Sequence, residues 1–127
     1  MGQKTLYEEK REGLHVVITA EERDGGALVI AGHDIGEVVK SIRGDDDYEY
    51  YLSVNKEEVQ KLMQKISTAE GIAPTFPALL DLLAARYDDE YCFSKIQVLF
   101  KEMGVEAEFS CWWGLYFNFT IYLPIVV

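Results

Sequence analysis

"YEYYLSVNKEEVQKLMQKI", residues 48 to 66, changes its period halfway along. Up to Val54 the residues alternate. Tyr48, Tyr50, Leu52 and Val54 share one face, and Glu49, Tyr51 and Ser53 share the other, which is the period of a β-strand. From Val59 the apolar positions are Val59, Leu62, Met63 and Ile66, at i, i+3, i+4 and i+7, the period of an amphipathic helix. Asn55 stands at the junction with Glu58 three residues on, the pattern of an N-cap and capping box. One strand therefore runs directly into one helix, and both carry an apolar stripe that needs a common core.

The residues before this pair read mostly as strand. Leu14, Val16, Ile18 and Ala20 alternate with His15, Val17, Thr19 and Glu21. Asp24-Gly25-Gly26 supplies the positive φ of a tight turn, and Ala27 to Ala31 is the return strand, apolar enough for burial on both faces. Lys4 to Lys10 reads as a short strand with poor alternation. Gly32-His33-Asp34-Ile35-Gly36 reads as a break, followed by one or two helical turns over Glu37 to Ile42 with Val38, Val39 and Ile42 as the stripe. Arg43-Gly44-Asp45-Asp46-Asp47 reads as a loop.

After the capped helix, Ser67 to Phe76 reads as a linker, and Pro77 opens a second helix that buries Leu79, Leu80, Leu83 and Tyr87. A third helix spans Tyr91 to Met103, burying Phe93, Ile96, Leu99, Phe100 and Met103, with Gly104 as its C′ cap. Val105, Ala107, Phe109 and Cys111 then alternate with polar neighbours. A run from Leu115 to Leu123 does the same, so the two pair as a hairpin that ends at Pro124 or lies at an edge. Grouped strands and grouped helices predict an α+β fold over residues 1–127. The expectation is one domain with a mostly antiparallel sheet and about three helices packed on one face.

Twelve Lys and Arg against 22 Asp and Glu give a net charge of −10. That balance disfavours nucleic acid and anionic membrane surfaces, both of which recruit basic residues, and it suits a basic protein partner. The apolar C-terminal run is shorter than the about 20 residues a spanning helix needs. The N-terminus carries no apolar signal region. Reduced thiols and a cytoplasmic location are the expectation for the two cysteines, Cys92 and Cys111.

The candidate chemistry is sparse. Consecutive Asp45, Asp46 and Asp47 read as a solvated turn, because neighbours on an extended chain point to opposite sides and ligate poorly together. His33-Asp34 is the one adjacent His–acid pair. No Cys or His pair has zinc spacing, so no metal or cofactor is expected. Acidic neighbours Asp88, Asp89 and Glu90 would raise the Cys92 thiol and blunt it as a nucleophile. Alternation forces part of the aromatic set off the core face, with Tyr51 beside Glu49 and Trp112 on the face of Glu106 and Glu108 the plainest cases. Exposed Tyr and Trp suit an interface.

The stretch "AGHDIGEVVKSIRGDDDYEYYLSVNKEEVQKLMQKI", with Gly104-Val105-Glu106-Ala107-Glu108-Phe109 further on, resembles a group of small uncharacterised bacterial proteins. Their pattern is a Gly-x-Asp-(Leu/Ile)-Gly turn, an acidic-aromatic YEY strand, a capped helix and a G-(I/V)-x-x-E-F strand. The resemblance covers about residues 28 to 112. By size and charge it implies an immunity-type protein of a bacterial toxin system or another stand-alone binding protein.

The leading expectation is thus a non-enzymatic acidic binding domain that presents Asp45, Asp46, Asp47, Glu49, Tyr51 and Trp112 to a basic protein. Two alternatives stand beside it. One is a small metal-dependent hydrolase using His33, Asp34 and the Asp45 to Asp47 loop. The other is a protein that self-associates through its C-terminal strand.

Overall fold

The computed structural model describes residues 2–43, 47–113 and 118–123. Six strands are present among them: β1 (Gln3–Arg11), β2 (Leu14–Arg23), β3 (Ala27–Ile35), β4 (Asp47–Val54), β5 (Ala107–Trp113) and β6 (Asn118–Leu123). Four helices join them: α1 (Glu37–Arg43), α2 (Lys56–Glu70), α3 (Phe76–Arg86) and α4 (Cys92–Glu102). Each strand pairs antiparallel with the next, so the sheet order is β1-β2-β3-β4-β5-β6. The α+β reading holds, with α2 to α4 as one excursion between the adjacent strands β4 and β5.

Alternation decides where the core lies. Ile18 and Ala20 of β2, Leu28 and Ile30 of β3, Leu52 and Val54 of β4 and Ala107 of β5 are buried in one cluster. With them are Val59, Leu62 and Ile66 of α2, Leu79, Leu80 and Leu83 of α3, and Cys92, Phe93, Ile96, Leu99 and Phe100 of α4. These strand residues share one face of the sheet, so the excursion packs on that face alone. The expected stripes of all three helices are the ones buried, with Met63, Tyr87 and Met103 only partly so.

The turn chemistry follows the sequence closely. Gly25 and Gly26 take φ of +79° and +87° between β2 and β3. Asn55 accepts from the Glu58 amide at 3.0 Å and so caps α2. The Glu58 carboxylate is engaged elsewhere: it accepts from the Glu106 amide at 3.1 Å and from Lys61 at 2.8 Å, tying the start of α2 to the approach to β5. α2 runs to Glu70, into the expected linker, because Gly71 (φ +70°) supplies the left-handed cap that no earlier residue offers. Thr75 then caps α3, with Pro77 in its first turn.

Two local expectations are corrected. β3 does not break at Gly32; it continues to Ile35. Gly32 sits inside the strand opposite Tyr50, and the break comes at Gly36. There φ is +131°, and a Cβ would lie 2.3 Å from the Gly13 carbonyl oxygen. The second difference is α1. Of its expected stripe only Val39 is buried, while Val38 and Ile42 are exposed. This helix sits at the hairpin end of the sheet, where the Val38 amide donates to the Gly13 carbonyl at 3.0 Å, and it lies outside the main core cluster.

Candidate functional site on the open sheet face

The face opposite the helices is built by the other parity of β1 to β5. One row across it runs Glu8, Val17, His33, Glu49 and Trp112, each directly opposite the next. The neighbouring rows carry Lys10, His15, Ile35 and Asp47 on one side, and Thr19, Ala31, Tyr51 and Ser110 on the other. None of these residues belongs to the core cluster, and most are half-buried. Trp112 is 43 % exposed and Ile35 37 % exposed, high values for large apolar side chains on a sheet.

Glu49 is the hub of this face. The Tyr51 hydroxyl donates to its Oε2 at 3.0 Å, the His33 Nε2 lies 3.8 Å from its Oε1, and Trp112 stands opposite it on β5. His33 Nε2 also makes a short hydrogen bond to Asp47 Oδ1. One imidazole is therefore held between two carboxylates that are two residues apart on β4. Burial and then the bond to Glu49 push the Tyr51 phenol above its ordinary value, so it stays a protonated donor. A second imidazole–carboxylate pair, His15 with Glu8 at 2.7 Å, lies along the same face. The hydrogen bond from His15 is the main reason that the Glu8 carboxyl falls below its usual range. Glu21 and Glu108 add further negative charge at the far end of the face, where Arg23 pairs with Glu21 at 3.2 Å.

The structure brings four of the six expected interface residues together: Asp47, Glu49, Tyr51 and Trp112 share the open face. Asp45 and Asp46 lie outside the described residues. Two members of the face, His33 and Ile35, escape a reading of the sequence, because they fall in a segment that looks like a glycine turn and the alternation that would have placed them is hidden.

The His33-Asp34 pair does not survive as a unit. Both residues lie within β3, so they point to opposite faces. Asp34 faces the helix side and accepts from the Tyr50 hydroxyl at 2.7 Å, in a shallow cleft of about 310 Å³ lined also by Tyr48, Glu90, Phe93 and Gln97. Burial, Asp34 and the hydrogen bond to it all hold the Tyr50 phenol in its protonated form. The thiols behave as the sequence suggests. Cys92 is fully buried and is pushed up to about 12, first by burial and then by Asp89 and Asp88, so it is no nucleophile near neutral pH. Cys111 is buried on the helix face of β5.

The chain matches no protein-family model, and neither the curated proteins nor the solved structures contain a match to it. The open face itself offers negative charge at fixed positions, with exposed Trp112 and Ile35 on its surface.

Proposed function

We propose that the chain is a non-enzymatic binding domain whose open sheet face docks a basic protein. The observation that carries this reading is the register Glu49 opposite Trp112, which seats a carboxylate hub beside an exposed aromatic anchor on a rigid sheet. Carboxylates at Asp47, Glu49 and Glu8 steer a basic partner, since opposed fields speed encounter. Trp112, Tyr51 and Ile35 supply the apolar area that holds it, because aromatic residues dominate interface energetics. The net charge of −10 favours the same partner class. The reading includes a toxin-neutralising role: an inhibitor of the immunity type acts by occlusion and needs no catalytic group. The test is retention of a basic protein by the wild-type chain and by an Asp47→Lys/Glu49→Lys variant, at low and at high salt.

The hydrolase alternative keeps His33 beside Asp47 of the aspartate segment, but not beside Asp34, which points to the opposite face of β3. Self-association keeps a supporting observation: among the described residues β6 is the last strand in the sheet order and pairs on one side only, with β5. An edge strand offers unpaired backbone groups to a second copy. Sedimentation across a hundredfold range of concentration tests it.

A further inference from the structure

We propose that His33, Asp47 and Glu49 form a site for one divalent transition-metal ion, with Zn²⁺ as the ion its donors suit. The inference rests on geometry alone and does not depend on the docking reading.

One ligand atom from each residue lies within 4.8 Å of those of the other two. His33 Nε2 is 3.8 Å from Glu49 Oε1 and hydrogen-bonded to Asp47 Oδ1. Zinc binds imidazole nitrogen and carboxylate oxygen at about 2.0–2.2 Å, which sets tetrahedral donor atoms about 3.4 Å apart. The triangle meets that spacing after side-chain adjustments of the order of 1 Å. His33, Asp47 and Glu49 are 37 %, 50 % and 39 % exposed, so such adjustments move into solvent rather than into packed neighbours.

The backbone is what makes this set a site. His33 and Glu49 are direct cross-strand partners, and Asp47 is diagonal to His33 from the same strand as Glu49. The three side chains thus rise from adjacent points on two hydrogen-bonded strands in the middle of a six-stranded sheet. Rigid elements of this kind hold a donor set better than loops do. The Tyr51 hydroxyl bonds Glu49 Oε2, the oxygen turned away from the triangle, and so orients the carboxylate with Oε1 toward His33. Such an outer partner tunes ligand orientation and affinity. An imidazole with two carboxylates is a mixed N/O donor set. It suits zinc better than calcium or magnesium, which take oxygen donors, and better than soft copper(I), which seeks sulfur. Three protein ligands leave at least one position open toward solvent.

Trp112, across from Glu49, places a fluorophore beside the site. The experiment is calorimetric titration of the full-length, tag-free protein with Zn²⁺, paralleled by Trp fluorescence during titration with Co²⁺, for wild type, His33→Ala, Glu49→Gln and His15→Ala. The expected result is one equivalent of Zn²⁺, with fluorescence quenched by Co²⁺. Affinity should fall by at least about 10- to 100-fold in His33→Ala and Glu49→Gln, the range that loss of even an outer-shell partner produces. It should be unchanged in His15→Ala. Thermal unfolding without metal separates ligand loss from misfolding, since these exposed substitutions should leave the melting temperature in place. Absence of saturable Zn²⁺ binding in the wild type, binding of several weak equivalents, or equal affinity in His33→Ala overturns the proposal. Loss of binding in His15→Ala overturns it as well, by moving the site.

Discussion

The Tyr50 ring lies over Gly32: a Cβ built at Gly32 would fall 1.9 Å from Tyr50 Cε2. The two residues are cross-strand partners, and the ring fills the space that any other residue at position 32 would occupy. From there it packs edge-on against Phe93 of α4, with centroids 4.9 Å apart, and its hydroxyl reaches Asp34. The glycine thus lets an aromatic ring bridge the sheet and the last helix.

Gly32→Ala should therefore destabilise the fold by about 1–3 kcal/mol, the usual cost of forcing extra atoms into a packed site. Urea unfolding measures it. The same substitution in a Tyr50→Leu background should cost much less, because the flat ring that it collides with is gone. Equal costs in both backgrounds would show that the ring is not the obstacle.

Removing the α2 cap gives a second check. Asn55→Ala leaves the Glu58 amide without its side-chain acceptor and should cost about 1 kcal/mol. The helix should fray at its first turn, visible as faster amide exchange at residues 56–59.

The Glu58 carboxyl sits below its usual range. Burial alone would raise it, but the bonds from Lys61 and from the Glu106 amide outweigh that effect. A carboxyl lowered in the folded state stabilises above the usual carboxylate range, and the contribution disappears as pH falls through it. Glu58→Gln should flatten the acid limb of the stability curve and cost about 1 kcal/mol at pH 7. An unchanged acid limb would mean that the contact contributes nothing.

Cys92 predicts the opposite limb. Its thiol is pushed up to about 12 in the folded chain, against about 9 for an ordinary thiol, so the folded state holds its proton more tightly. That stability is fully present below pH 9 and declines as pH rises toward 12. Near pH 8 a thiol reagent should label Cys92 only on unfolding, and the rate of labelling should follow denaturant concentration.

How much of this was legible in the sequence depends on the segment. The switch of period between Val54 and Val59 fixed a strand, a cap and a helix. The stripes Leu79, Leu80, Leu83 and Phe93, Ile96, Leu99, Phe100 placed two more helices on one core. Two glycines four residues apart hid the end of β3. Gly32 is there for the Tyr50 ring and Gly36 for the turn, and composition cannot separate a close approach from a break. That error also concealed the site, because it paired His33 with Asp34, its neighbour in sequence. The sheet register pairs His33 with Glu49 and Asp47 instead, 16 and 14 residues away along the chain. Spacing rules for ligands count along one segment and miss donors assembled across two strands. Glu49, Tyr51 and Trp112 were accessible to alternation alone, whereas Asp47 reads as the end of an acidic loop and proves to be the first residue of β4.

The most direct test of the docking face is a comparison of what the immobilised chain retains from lysate of its own organism as wild type, as Asp47→Lys/Glu49→Lys and as Trp112→Ala. A basic protein held by the wild type, released by salt and lost from both variants is the predicted result. Retention of the same protein by all three, or by none of them at any salt, would contradict a docking role for the open face.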